Sequence, residues 1–156
     1  MNDGLRISVA GLALIKRFEG LRLLPYLDQN GNRTIGYGHK CATGESFPQG
    51  ISMQEADSIL AADAAVAEQA VKRLVTVPLT QGQFDALVDF TFQNGQGNLR
   101  DSSMLSALNS GRYNAVPACL YHVDDAGEPH GWIFADGKPQ PGIIARRQAD
   151  IELWNS

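Results

Sequence analysis

The chain has 156 residues, 44% of them hydrophobic and 19% charged, which is the composition of one soluble globular domain. Its 13 basic and 17 acidic residues leave a formal net charge of −4. This balance argues against a nucleic-acid-binding protein, which normally has a basic excess. Length and composition also exclude an intrinsically disordered, collagen-like or coiled-coil chain.

The first predicted element is a helix over residues 8–19, where apolar residues recur at helical spacing and Gly20 provides a typical helix end. Glu19 falls in its last turn, at the end of the helix dipole that disfavours a carboxylate. Helix propensity therefore does not explain Glu19, and it becomes a candidate functional residue. The apolar run is too short to span a bilayer and lacks the order of a signal peptide.

The segment after this helix predicts a small antiparallel sheet. Pro25 and several glycines prevent a helix, and the Asn30-Gly31 pair is a strong hairpin signal. We expect strands near 24–27 and 33–37, followed by a loop over 40–51.

The remainder of the chain is predicted to be helical, beginning with two capping boxes at Ser52 and Thr80. The first opens the longest helix, to about Leu74, and the second opens a helix to about Asn94. The later elements are shorter: a helix from Ser102 or Ser103 to Gly111, another from near Tyr113 to about Val123, a long loop over 124–142, and a last helix from about Gly142 to Trp154.

Three residues near the predicted junction of helix and sheet suit glycoside hydrolysis. That reaction needs one protonated carboxyl group and one ionised carboxylate on either side of a cleft. Glu19 suits the acid, Asp28 suits the ionised partner, and the Thr34 hydroxyl could orient a water molecule. On spacing alone, a surface position for Glu19 and ordinary turn chemistry for Asp28 are favoured over catalytic roles.

A longer pattern resembles the bacteriophage-type lysozymes, the phage endolysins of glycoside hydrolase family 24. Eight residues separate Glu19 from Asp28, five separate Asp28 from Thr34, and Ile35-Gly36-Tyr37-Gly38-His39 follows. Three further segments are similar to the family in the same order: Phe92-Gln93-Asn94-Gly95, Ser102-Ser103-Met104-Leu105 and Gly142-Ile143-Ile144-Ala145-Arg146-Arg147. The resemblance covers nearly the whole chain.

The resemblance implies an α+β, mostly α, lysozyme-like fold forming one domain over residues 1–156. A small N-terminal β-hairpin lobe (about 20–52) would be joined by a linking helix (about 53–74) to a larger C-terminal helical lobe (about 80–156). The helix over 8–19 would pack on this larger lobe.

The implied activity is cleavage of the β-1,4 bond between N-acetylmuramic acid and N-acetylglucosamine in peptidoglycan. Glu19 would be the general acid, Asp28 the base or electrostatic partner, and Thr34 the residue that positions water, with inversion at the anomeric carbon. A lytic transglycosylase and a catalytically silent peptidoglycan-binding module remain as alternatives.

Other positions take their expected roles from the same resemblance. Lys40, Phe92, Gln93 and Ser103 would line the sugar groove, although Phe92 is equally explained as a core residue. Arg147 would reach Glu19, whereas Arg146, about 100° away around the helix, would pair elsewhere. His39 would pair with Asp63, and this carboxylate would raise the pKa of His39.

No cofactor is implied, and no His, Asp or Glu cluster has metal-ligand spacing. Cys41 and Cys119 fit no zinc pattern; free thiols are favoured for a cytoplasmic chain, and a disulfide between them stays open. The expected partner is bacterial peptidoglycan, not nucleic acid, with no stable membrane insertion and a monomeric state. The resemblance further implies that the protein stays in the host cytoplasm until a holin gives it access to the periplasm and cell wall. The host wall, and the choice between a free endolysin and a virion component, stay open.

Overall fold

The computed structural model describes residues 1–156 and contains six helices and three small antiparallel sheets. In chain order the elements are α1 (Val9–Glu19), β1 (Arg22–Leu27), β2 (Arg33–Gly36), β3 (His39–Lys40), α2 (Met53–Leu74), α3 (Gln81–Asp101), α4 (Ser103–Asn109), α5 (Ala115–Leu120), β4 (Tyr121–Val123), β5 (Pro129–Gly131), β6 (Phe134–Ala135), β7 (Lys138–Pro139) and α6 (Pro141–Trp154). The expected α+β, mostly helical, lysozyme-like class is confirmed.

The N-terminal sheet has the strand order β1-β2-β3. Thr34, in the central strand, pairs in register with Tyr26 on one side and Lys40 on the other. The hairpin between β1 and β2 turns at Gly31, whose φ of 78° is a conformation that glycine adopts without a steric penalty. This turn holds Asp28 at the tip of the sheet.

Two hydrophobic clusters form the interior. The smaller one joins α1, the sheet and the start of α2, and consists of Ile15, Ile35, Tyr37, Ile51, Ala56 and Leu60. The larger one lies among α2, α3, α4, α5 and α6 and includes Val71, Phe84, Phe90, Leu108 and Leu120. Because α2 contributes to both clusters, it connects the sheet to the helical part of the molecule.

Both predicted capping boxes are present. The Ser52 hydroxyl accepts a hydrogen bond from the Glu55 backbone N–H at 3.1 Å, and the Glu55 carboxylate accepts one from the Ser52 N–H at 2.7 Å. Thr80 and Gln83 make the same reciprocal pair at the start of α3. These caps fix where the two longest helices begin.

The first helical segment of α3 ends at Asn94, as predicted, but a second segment that follows Gly95 and continues to Asp101 was not predicted. Gly95 lies between the two segments with φ 82°, outside the helical region, and produces a kink in α3. Ser102, not Ser103, caps α4 by accepting a hydrogen bond from the Leu105 N–H at 3.0 Å.

The predicted long loop over 124–142 is wrong, since two short hairpins occupy most of it. β4 pairs with β5 and β6 pairs with β7. Consequently the helix expected to fade by Val123 ends earlier, at Leu120, where β4 begins. The glycines that indicated a loop form the tight turns of these hairpins, at Gly127 (φ 83°) and Gly137 (φ 72°). None of the six helices is both long and apolar enough to cross a membrane.

Candidate active site

A cleft of about 1320 Å³ opens between the N-terminal sheet and the helical part of the molecule. Its walls come from the end of α1, the sheet, α2, α3 and α6. Seven of the expected site residues line it: Glu19, Asp28, His39, Lys40, Asp63, Phe92 and Gln93. Three others, Thr34, Ser103 and Arg147, are not part of the lining.

Glu19 is the last residue of α1, and its side chain is 22% exposed. Its Oε1 accepts a hydrogen bond of 2.7 Å from Nη1 of Arg146. Its Oε2 faces Gly38, where a Cβ atom would lie only 2.5 Å from this oxygen. Gly38 therefore leaves the space that the carboxyl group occupies, which explains a glycine at this point of the Gly36-Tyr37-Gly38 segment.

Asp28 is held by its own hairpin. Its Oδ1 accepts hydrogen bonds from the backbone N–H groups of Asn30 (2.9 Å) and Asn32 (2.8 Å). The Asn32 side-chain amide donates to the same carboxylate, at 3.0 Å to Oδ2. These bonds, led by that of the Asn32 side chain, lower the pKa of Asp28, and the charge of Lys40 acts in the same direction. Asp28 is therefore an ionised carboxylate at neutral pH.

The arginine that reaches Glu19 is Arg146, so the expectation that Arg147 does so is wrong. Arg147 is fully buried, and its Nη2 contacts Asp89 at 3.3 Å, Asp150 at 3.0 Å and the Gln93 Oε1 at 2.7 Å. The two arginines do diverge around α6, as expected for neighbours on a helix. The rotation of α6 about its axis, which is set by its packing on α3, decides which of the two arginines faces the cleft. The local sequence does not encode that rotation.

Asp89 was missed by sequence reasoning, and it is fully buried beside both arginines. It accepts hydrogen bonds from Nε of Arg146 at 2.9 Å and from Nη2 of Arg146 at 2.7 Å. Burial alone would disfavour charge on Arg146, but Asp89 and Glu19 outweigh it and raise the pKa of Arg146. The signal that could have revealed Asp89 is an aspartate in the middle of an apolar helix face.

Thr34 is buried in the central strand, and its hydroxyl donates a hydrogen bond of 3.0 Å to the Asn32 carbonyl. This bond links Thr34 to the loop that carries Asp28. The oxygen keeps its lone pairs, so it can still accept a hydrogen bond from water.

Gln93, Phe92 and Lys40 contribute different chemistry to the cleft. Gln93 lines the cleft, its Oε1 accepts a hydrogen bond from Arg147, and its amide NH₂ donates no hydrogen bond within the protein. Phe92 packs against both hydrophobic clusters while lining the cleft, and Lys40 is exposed at the rim. Ser103 is exposed at the start of α4 and is not among the residues that line this cleft, so its expected place in the sugar groove stays a prediction.

His39 lies between two carboxylates that belong to different elements. Its Nδ1 is 2.8 Å from Asp63 on α2, and its Nε2 is 2.9 Å from Glu45 in the loop after β3. Partial burial would lower the pKa of His39, but Glu45 and Asp63 outweigh it and raise that pKa. The pairing with Asp63 was expected, whereas Glu45 was not foreseen.

The His39 cluster should make stability depend on pH. Because the folded-state pKa of His39 is raised, its stabilisation is complete below the unfolded-state value of about 6.5. It is lost as the pH rises through the folded-state pKa. We expect His39→Gln to lower the free energy of unfolding by about 1 kcal/mol at mildly acidic pH and by much less under alkaline conditions.

Urea unfolding of wild type and variant at both pH values measures this difference, and NMR titration of the His39 ring gives its pKa directly. A midpoint at or below the ordinary histidine value would contradict the predicted ion pairs. His122→Gln is a control, because His122 is exposed and its ring contacts a backbone carbonyl, that of Ala118.

The comparisons with known proteins agree with this geometry. Residues 16–150 match the phage lysozyme family. The chain is 36% identical to the endolysin of Acyrthosiphon pisum secondary endosymbiont phage 1, over 97% of this chain and 99% of that protein. It is 38% identical to the endolysin of Salmonella phage P22, over 80% of this chain and 87% of that protein. It is also 37% identical to the endolysin of Bacillus phage PZA over 97% of this chain, but it spans only 56% of that longer protein.

Solved structures give the same result. The muramidase domain of SpmX from Asticaccaulis excentricus superposes with a TM-score of 0.79 at 32% identity, covering 97% of this chain and 99% of that one. A mutant of P22 lysozyme gives the same TM-score and coverage at 30% identity. The fold and these relatives define a lysozyme, which is a glycoside hydrolase. The chain belongs to the phage lysozyme family.

Proposed function

We propose that this protein is an endolysin muramidase that hydrolyses the β-1,4 bond between N-acetylmuramic acid and N-acetylglucosamine in bacterial peptidoglycan. The observation that carries the proposal is that Glu19 and Asp28 line one cleft in contrasting surroundings. Glu19 is partly buried against Arg146 and Gly38, whereas Asp28 is held as a carboxylate by Asn30 and Asn32. Glycoside hydrolysis uses two carboxyl groups with different protonation states.

In the proposed reaction, the Glu19 carboxyl group donates its proton to the glycosidic oxygen as the bond to the anomeric carbon breaks. Asp28 accepts a proton from the attacking water, whose oxygen bonds to the anomeric carbon, and its charge stabilises the oxocarbenium-like transition state. Thr34 orients this water by accepting a hydrogen bond. A single displacement of this kind inverts the anomeric configuration.

The proposed sugar-binding surface is made of Gln93, Phe92 and Lys40. The Gln93 amide NH₂ would donate to acetamido or hydroxyl oxygens of the saccharide, and Phe92 would present an apolar face. Lys40 at the rim would attract the carboxylates of the peptides that peptidoglycan carries. His39 and Asp63 would act as supporting residues by holding β3 against α2.

Product analysis tests the reaction class. Digestion of purified peptidoglycan should release fragments with reducing N-acetylmuramic acid ends, each heavier by one water molecule than the 1,6-anhydro ends of a lytic transglycosylase. Mass spectrometry separates the two products, and digestion in ¹⁸O-water should place the label at the new reducing end. Anhydro products would contradict hydrolysis, and binding without any product would identify a silent binding module. NMR of the first anomer formed tests inversion.

The relatives named endolysins support a place of action in the cell wall. We propose that the protein acts as a monomer, is made in the host cytoplasm, and reaches the periplasm and wall through a holin pore. Co-expression with and without a holin, with release of cell contents as the readout, tests this route. Lysis without the holin would contradict it.

A further inference from the structure

Asp89 lies behind the cleft and does not line it, yet it is joined to the proposed general acid through one side chain. Asp89 is 0% exposed on α3, and Arg146 on α6 is 4% exposed. The Arg146 guanidinium spans the gap between Asp89 and Glu19. Because these three residues come from three different helices, their contact depends on the packed fold.

The guanidinium is held on two of its three nitrogens. Nε and Nη2 donate to the two carboxylate oxygens of Asp89, which leaves Nη1 to donate to Glu19 at 2.7 Å. A guanidinium is planar and rigid, so fixing two nitrogens fixes the direction of the third. Asp89 therefore sets where the Nη1 donor points.

This geometry distinguishes the two oxygens of Glu19. Arginine has no acceptor atom, so the Oε1 that faces Nη1 must stay an acceptor. Oε2 is the oxygen beside Gly38, in the wall of the cleft. We propose that Asp89 is a positioning residue that acts through Arg146 to place the acidic proton of Glu19 on Oε2. This inference rests on the proposed role of Glu19 as general acid.

A purely structural role for Asp89 is the competing explanation, because two buried arginines need a counter-ion. Asp150 offers a comparison: it is also 0% exposed, and it contacts Arg147 at 3.0 Å. Burial, together with the nearby charge of Asp89, raises the pKa of Asp150 well above its usual range. The other charged residues that line the cleft with Glu19 and Arg146 are Arg22, Asp28, His39, Lys40 and Asp63.

The test compares Asp89→Asn with Asp150→Asn, the same replacement at a second buried aspartate that contacts Arg147, as the control for changes in packing. Asp89→Asn keeps the shape and one acceptor but removes the charge that aligns Arg146. We expect its kcat on a soluble peptidoglycan fragment to fall about 30-fold, with KM within about twofold, since small misplacements of a catalytic group cost up to this order. In this variant Glu19 is the one carboxylate that still pairs with Arg146, so the guanidinium favours its ionised form more strongly than in the wild type. The alkaline limb of the pH–rate profile should therefore move to lower pH.

Asp150→Asn should change thermal stability while leaving kcat and the pH profile close to wild type. If Asp89→Asn behaves as Asp150→Asn does, with a wild-type kcat and pH profile, the positioning role is overturned. Equal losses of kcat in both variants with an unmoved pH profile would also overturn it, since that is what a structural role predicts.

A charge-balanced pair of variants covers the case in which Asp89→Asn does not fold. Arg147→Gln removes one buried cation, and Asp89→Asn/Arg147→Gln then removes the anion as well. The double variant should show the same loss of kcat and shift of the pH profile relative to Arg147→Gln.

Glu19→Gln tells a failure of the proposed function apart from a failure of this inference. If the proposed function is wrong, the Glu19→Gln variant will be active. Failure of this inference would leave Glu19→Gln inactive and the Asp89 variants normal.

Discussion

Replacing Glu19 by glutamine is expected to lower the rate of peptidoglycan hydrolysis by about 10³-fold or more, because an amide cannot donate the proton that the leaving oxygen needs. The substitution is nearly isosteric. The carbonyl oxygen of the introduced amide can still accept the hydrogen bond from Arg146, so the packing of α1 on α6 should persist. The variant should therefore fold and still sediment with insoluble peptidoglycan.

The measurement is the initial rate of release of soluble fragments at equal concentrations of folded protein, with binding followed by co-sedimentation. Glu152→Gln is the matched control, because Glu152 is an exposed carboxylate on α6. An unchanged rate in Glu19→Gln would remove Glu19 from the mechanism. Loss of both binding and hydrolysis would assign Glu19 to substrate affinity.

Replacing Gly38 by alanine should have the next largest effect on activity. The new Cβ would lie 2.5 Å from Oε2 of Glu19, so the carboxyl group must move away from the position it now occupies. Displacement of a catalytic group by about an ångström can cost about 10²-fold in rate, and we expect a loss of kcat of that order. The φ of 74° at Gly38 adds a backbone penalty of about 1 kcal/mol for any L-residue.

Gly137→Ala separates these two effects. Gly137 has a similar φ of 72°, but a Cβ there would meet nothing within 4 Å. Both variants should lose the stability that a positive φ costs, Gly38→Ala should lose more because of its contact with Glu19, and only Gly38→Ala should lose kcat. Equal activities in the two variants would show that the close approach of Gly38 to Glu19 has no catalytic consequence.

The sequence predicts well the features that depend on neighbouring residues. The end of α1 at Gly20, the Asn30-Gly31 hairpin and the Ser52 and Thr80 capping boxes are short-range patterns, and all are present. The residues singled out at 19 and 28 do line one cleft, because the helix end and the hairpin tip are separated by a single strand. Their roles rest on the experiments above.

Features that depend on packing between distant elements could not be predicted. The rotation of α6 against α3 decides that Arg146, and not Arg147, contacts Glu19. The role of Asp89 could not be predicted because it depends on contacts with arginines that lie far away in the chain. Glu45 reaches His39 because the loop after β3 folds back. The two hairpins within 121–139 are two or three residues per strand, too short for the alternation that identifies a strand.

The Glu19–Arg146 contact joins residues 127 positions apart in the chain. During translation both carboxylates of the cleft are made well before α6, which follows every other helix and strand described above. A nascent or truncated chain without α6 would carry Glu19 and Asp28 and lack the guanidinium that orders Glu19. Lytic activity should therefore appear only after α6 has been synthesised and has docked, which delays the enzyme's onset until the fold is assembled.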